Sequence, residues 1–98
     1  MIQLIILLFG CHAICDYVLQ NKYILDGKYK HNHFLIAHCF IHAVPVALLT
    51  CPIFGIVEFI SHYLTDKAKI KGMISVNKDQ FIHYFFKFLF AFIWVLIK

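Results

Sequence analysis

Four pairs of titratable residues interrupt an otherwise apolar chain: His12 and Asp16, His38 and His42, His62 and Asp66, Asp79 and His83. The members of each pair are four positions apart, which puts both side chains on one face of an α-helix. Imidazole and carboxylate are ligands for zinc, manganese, iron and similar divalent ions. Ionisable groups inside a membrane-grade apolar segment are costly and mark a functional site by default. Together, these five histidines and three aspartates would supply two ions with about four protein ligands each, fewer where water completes the shell. Bridging carboxylates between ions about 3.5–4 Å apart are the usual arrangement of two-metal hydrolytic centres. Helical bundles build such centres from inward pairs at i,i+3 or i,i+4. The alternative is a metal-free polar network in which His–Asp pairs tie helices together. One pair would favour the network; four pairs in register favour the ions.

The elements that must carry these pairs follow from composition. The chain has 98 residues, 62% hydrophobic and 14% charged, with a mean hydropathy of +0.80. A soluble domain of that length could not bury so much apolar surface, so the chain reads as an integral membrane protein. A spanning helix needs about 20 apolar residues. With short loops, residues 1–98 form a single all-α domain, a four-helix transmembrane bundle. Segment one runs from about Ile2 to Gln20, two from His33 to Thr50, three from Ile56 to Lys67 and four from Asp79 to Ile97. Segment three is short in apolar residues and has an alternative start at Pro52, a residue favoured at helix starts. Pro45 is expected to kink segment two by removing a backbone donor. The stretch Cys51–Gly55 reads as a short uncharged turn. Leu8-Phe9-Gly10-Cys11 faintly suggests a lipoprotein cleavage site, but no basic region precedes it and the apolar run continues, so a retained first helix is expected.

Net charge is +4, and every cation among Lys and Arg is lysine. The lysines cluster at 22–30 and 67–78, in the two loops that must share a side of the membrane. The positive-inside rule makes that side cytoplasmic, with both termini on the non-cytoplasmic side and a bacterial inner membrane as the expected location. No basic face on a soluble fold is present, which argues against nucleic acid as a partner. The membrane lipid is the expected partner, and the exposed surface of four short helices makes a homodimer plausible.

Depth then sorts the pairs. At about 1.5 Å rise per residue, Asp16, His38, Asp66 and Asp79 share an outer layer near the cytoplasmic surface. His12, His42, His62 and His83 form an inner layer about 6 Å below. One turn deeper, Glu58 and Lys87 face Leu8 and Val46, and an ion pair between them is the economical expectation. Asp79 is also placed to cap the fourth helix. Gln20 and Gln80 could orient ligands or simply sit at polar helix interfaces. His31 and His33 read as solvated loop residues, and Tyr17, Tyr63 and Tyr84 as interfacial or packing aromatics. Lys67, Lys69 and Lys71 read first as topology signals and second as an attraction for anionic head groups. Cys11, Cys15 and Cys39 read as small core residues, with Cys51 at a loop.

The elements His12-x3-Asp16-Tyr17-x-Leu19-Gln20, His38 with His42, His62-x3-Asp66-Lys67 and Asp79-Gln80-x2-His83 resemble an uncharacterised family of small bacterial and phage membrane proteins. The likeness spans about Leu7 to Tyr84. A more distant resemblance is to predicted membrane-bound metal-dependent hydrolases, although this chain is short for that group. The resemblance implies hydrolysis of a lipid-linked or phosphorylated substrate near the cytoplasmic leaflet. A metal-acidified water would be the nucleophile, with Asp16 or Asp66 as the catalytic base. The lack of arginine speaks mildly against a phosphate clamp. A di-iron or haem redox protein and a metal-ion or proton transport module are the competing readings.

Overall fold

The computed structural model describes residues 1–18, 26–28 and 30–98. Helix α1 spans Ile2–Ala13 and passes directly into a π-helical turn, Ile14–Val18. Helix α2 spans Asn32–Leu49, α3 spans Pro52–Ile70 and α4 spans Val76–Ile97. No strand is present among the described residues. Helix α1 packs on α2 and on α4, α2 on α3, and α3 on α4, so the helices close a ring around a shared interior.

Each boundary has a local cause. Pro52 occupies the first turn of α3, where its missing N–H and fixed φ cost nothing. The expected Cys51–Gly55 turn therefore shrinks to Thr50 and Cys51, and segment three takes its alternative start. Helix α4 begins three residues before Asp79, because Ser75 accepts the Lys78 amide at 3.2 Å and caps it. Asp79 is thus not the cap; it lies in the first turn and is fully buried. Gly72 has φ +76°, a conformation that favours glycine, and turns the chain between α3 and α4.

Segment one departs from the continuous α-helix expected over Ile2–Gln20. Regular α geometry stops at Ala13, and Asp16 rides on the π turn. Gln20 and the loop stretch 19–25 lie outside the described residues. Helix α2 continues through Pro45. Proline cannot donate to the carbonyl four residues earlier, and that carbonyl, Ile41 O, accepts from Cys15 Sγ at 3.6 Å. Cys15 therefore has a bonding role beyond filling space.

The interior is divided along the helix axes. Toward one end lie His12, His38, His42, His62, Asp66, Asp79 and His83, all buried. Toward the other, Leu8, Val46, Phe90 and Ala91 form an apolar cluster backed by Leu4, Ile5, Leu49, Phe54 and Phe86. The outer surface is apolar as well, with Ile6, Leu48, Ile56, Ile60, Phe81 and Leu96 exposed. Helices α2 and α4 are long and apolar enough to cross a membrane, and the apolar Ile2–Tyr17 is shorter. Helix α3 misses that measure because Glu58, His62, Asp66 and its lysines lower its average. Its outward residues Ile53, Ile56, Val57, Ile60 and Leu64 are exposed and apolar.

Helices α2 and α3 approach closely at Gly55. A Cβ there would meet Ala47 Cβ at 2.7 Å and Ala43 O at 3.3 Å. Gly55→Leu is expected to wedge α3 from α2 and destabilise the fold by about 1–3 kcal/mol, the usual range for overpacking. A thermal melt in detergent would measure it, and Gly55→Ala combined with Ala47→Gly is expected to recover most of the loss.

Candidate metal centre

The two expected layers are both present. In the inner layer four imidazoles, one from each of α1 to α4, pack edge to edge and face to face. Ring centroids are 4.9 Å apart for His12–His42, 3.9 Å for His42–His62, 3.9 Å for His62–His83 and 5.3 Å for His12–His83. In the outer layer the carboxylates lie against these rings. Asp16 Oδ1 is 2.8 Å from His42 Nε2 and 3.3 Å from His38 Nε2. Asp66 Oδ1 is 3.1 Å from His83 Nε2, and Asp66 Oδ2 is 3.4 Å from His62 Nε2 and 3.6 Å from His38 Nε2. Asp79 Oδ1 is 3.3 Å from His83 Nε2. His38 thus stands between Asp16 and Asp66, and His83 between Asp66 and Asp79.

These side chains converge because each i,i+4 pair lies on the inward stripe of its helix. The π turn carries Asp16 into reach of both α2 histidines while the His12 Nε2–Asp16 Oδ2 approach of 3.3 Å is retained. Such turns recur at functional sites because the extra residue re-aims a side chain without ending the helix.

Several of these approaches are poor hydrogen bonds and good ligand pairs. His38 Nε2, His62 Nε2 and Asp79 Oδ1 are buried and have no hydrogen-bond partner, although each lies 3.3–3.6 Å from an opposite donor or acceptor. Atoms bound to one ion at about 2.0–2.1 Å are about 2.8–3.0 Å apart at octahedral angles and about 3.3–3.4 Å apart at tetrahedral ones. Two sets of ligand atoms lie within 4.8 Å of one another: Asp16, His38, His42 and His62, and then His62, Asp66 and His83. The donors are nitrogen and carboxylate oxygen, with no thiolate, which suits zinc, manganese or iron. The residues therefore fit a divalent ion, and the two sets adjoin through His62.

His12 and Asp79 belong to the cluster but to neither set. Gln80 accounts for this. Its Nε2 donates to Asp16 Oδ2 at 3.1 Å and to Asp79 Oδ2 at 3.0 Å, and its Oε1 lies 3.1 Å from His12 Nε2. With Oε1 accepting, His12 Nε2 carries the hydrogen and only Nδ1 is left as a ligand atom. Gln80 is thus the orienting residue that the sequence left open between two readings. Tyr84 stacks edge-on against His12 at 4.6 Å and packs on Phe9 at 4.9 Å.

Sequence reasoning missed two lysines. Lys28 is buried, and its Nζ donates to Asp66 Oδ2 at 3.3 Å. Lys69 Nζ lies 3.6 Å from Asp79 Oδ2. Lys28 was expected only as a loop charge, and Lys69 as a topology signal or an attraction for anionic head groups, neither as a partner of a buried carboxylate. Their neighbours in sequence carry no pattern that separates a cation reaching inward from one facing water. At the surface end, Asn32 Oδ1 accepts from Tyr63 Oη at 3.0 Å and from Lys67 Nζ at 3.2 Å, joining α2 to α3. His31 and His33 stack on one another at 5.6 Å, away from the cluster and exposed.

A family model for a domain of unknown function, DUF3307, matches residues 4–97. The chain belongs to DUF3307. No curated protein and no solved structure matches it. The DUF3307 match takes in every residue of the cluster, from His12 to His83, together with Glu58 and Lys87. An uncharacterised family was expected, and DUF3307 is one.

Proposed function

We propose that the protein is an integral membrane four-helix bundle of the bacterial inner membrane, with both termini outside. Its centre in the cytoplasmic half would hold two divalent ions and hydrolyse a lipid-linked or phosphorylated substrate. The observation that carries this is that His38 Nε2 and His62 Nε2 are buried without hydrogen-bond partners inside sets of His and Asp ligand atoms that lie within 4.8 Å of one another. A metal-free network of neutral groups would satisfy those atoms instead. The membrane setting rests on an inside-out distribution, with titratable groups buried and large apolar residues outward.

Ions held there would supply a Lewis acid and an acidified bound water. Asp16 is the member of the ligand sets nearest the surface, with 9% of its side chain accessible against 2% or less for its partners. It is therefore the residue placed to take a proton from water at the mouth of the site. Asp66, held by His83 and Lys28, orients the second set. Lys28 neutralises Asp66 from within, and Lys69, the more open of the two, supplies positive charge beside Asp79 where a substrate phosphate would approach.

A non-haem iron redox centre is the second reading, because His62, His83 and Asp66 are two histidines and one carboxylate. Haem suits the geometry less well: imidazoles stacked at 3.9 Å leave no slot for a porphyrin plane. A transport path is disfavoured by the apolar plug of Leu8, Val46, Phe90 and Ala91.

Elemental analysis of detergent-purified protein is expected to give about two ions of zinc, manganese or iron per chain, and a chelator is expected to lower the melting temperature by removing them. Protein that is folded and metal-free after reconstitution with each ion would defeat the proposal. A colourless preparation separates zinc or manganese hydrolysis from iron redox chemistry.

A further inference from the structure

Glu58 and Lys87 lie one turn below the imidazole layer, outside both ligand sets, and are buried to about the same degree as the histidines. A Glu–Lys pair in an apolar interior could simply neutralise itself. Here it does not close on itself. Lys87 Nζ donates to Glu58 Oε1, and the same carboxylate lies 3.3 Å from His62 Nδ1, four residues along α3. Glu58, His62 and Asp66 form a column at i, i+4 and i+8, so His62 has a carboxylate on each of its ring nitrogens.

We infer that Lys87 and Glu58 are positioning residues that set the tautomer of His62 and thereby direct Nε2 to the ion. A carboxylate oxygen that already holds an ammonium hydrogen acts as an acceptor. A neutral His62 then donates through Nδ1, which leaves a lone pair on Nε2. That atom has no hydrogen-bond partner and faces Asp66 Oδ2 at 3.4 Å. Asp66 Oδ2 also accepts from Lys28 Nζ, and a cation between that oxygen and the Nε2 lone pair suits both atoms. Metal-bound histidines commonly give their other N–H to a carboxylate, which fixes the ring and raises its basicity. The column adds a lysine behind that carboxylate, which holds it in place at a depth where no water can. His62 is common to both ligand sets and this tautomer leaves it one lone pair, so the choice governs whichever set Nε2 completes.

This inference rests on the two-ion reading only for what Nε2 holds; the tautomer stands separately. Two measurements test it. In the ¹⁵N spectrum of histidine-labelled protein, with the His62 signal assigned by its loss in His62→Gln, Nδ1 is expected to be protonated and Nε2 bare. Zn²⁺ affinity, read by competition with a chromophoric chelator, is expected to fall about 10–100-fold in Glu58→Gln/Lys87→Met, with the wild-type stoichiometry recovered at saturation. The double substitution removes both charges and leaves an amide that can either accept or donate. A wild-type His62 protonated on Nε2 overturns the inference, as does an unchanged affinity in the double variant. Wild-type protein that takes up no Zn²⁺ defeats the two-ion reading instead, and the ¹⁵N spectrum then decides the tautomer alone.

Discussion

His62→Ala is expected to weaken metal binding by both ligand sets, whereas His83→Ala should weaken one. His62 is the residue shared by the two ligand sets, and its ring stacks at 3.9 Å on both His42 and His83. Removing it takes away the one residue on which both ligand sets draw and opens a gap in the imidazole layer between them. His83 belongs to one set only. Its loss should leave Asp16, His38, His42 and His62 able to hold an ion. Equilibrium dialysis against Zn²⁺ or Mn²⁺, followed by elemental analysis, reads both results. Each ligand is worth one or more orders of magnitude in affinity, so the first variant should be empty at metal concentrations that saturate the wild type. If His62→Ala retains two ions, the sharing is wrong and the sites are separate. Any hydrolytic activity found in the wild type should vanish with the metal in the same variant.

The register of the cluster was legible in the sequence because two physical facts sufficed: helical periodicity, and the cost of ionisable groups in an apolar run. They place His12 with His42, His62 and His83, and they pair Glu58 with Lys87, as the structure does. The limits of the helices were less legible. The start of α4 depends on Ser75, a residue with no apolar pattern before it. The π turn at Asp16 answers to the positions of His38 and His42 on another helix, and no local propensity encodes that. Lys28 shows the same gap. It is buried against Asp66, 38 residues further along the chain, so its sequence neighbours cannot reveal it. The long course of α3 was obscured because polar residues facing inward lowered its mean hydropathy, while the residues facing outward are apolar.

Lys87→Met is expected to destabilise the protein by about 3–5 kcal/mol, the cost of breaking a buried ion pair and stranding one charge. Glu58 would keep the His62 contact but lose its ammonium partner, and its Oε2 already has no hydrogen-bond partner. Leu8 and Val46, which line that depth from α1 and α2, have nothing to donate. The double variant Glu58→Gln/Lys87→Met should lie much nearer the wild type, within about 1–2 kcal/mol, because replacing both members of a buried pair by neutral groups is often close to neutral. Denaturant unfolding of the metal-free protein in mild detergent measures both, and a chelator present throughout keeps metal linkage out of the comparison. The coupling between the two positions should therefore be several kcal/mol. A double variant as unstable as Lys87→Met would instead mean that the long side chains hold the fold by packing rather than by charge.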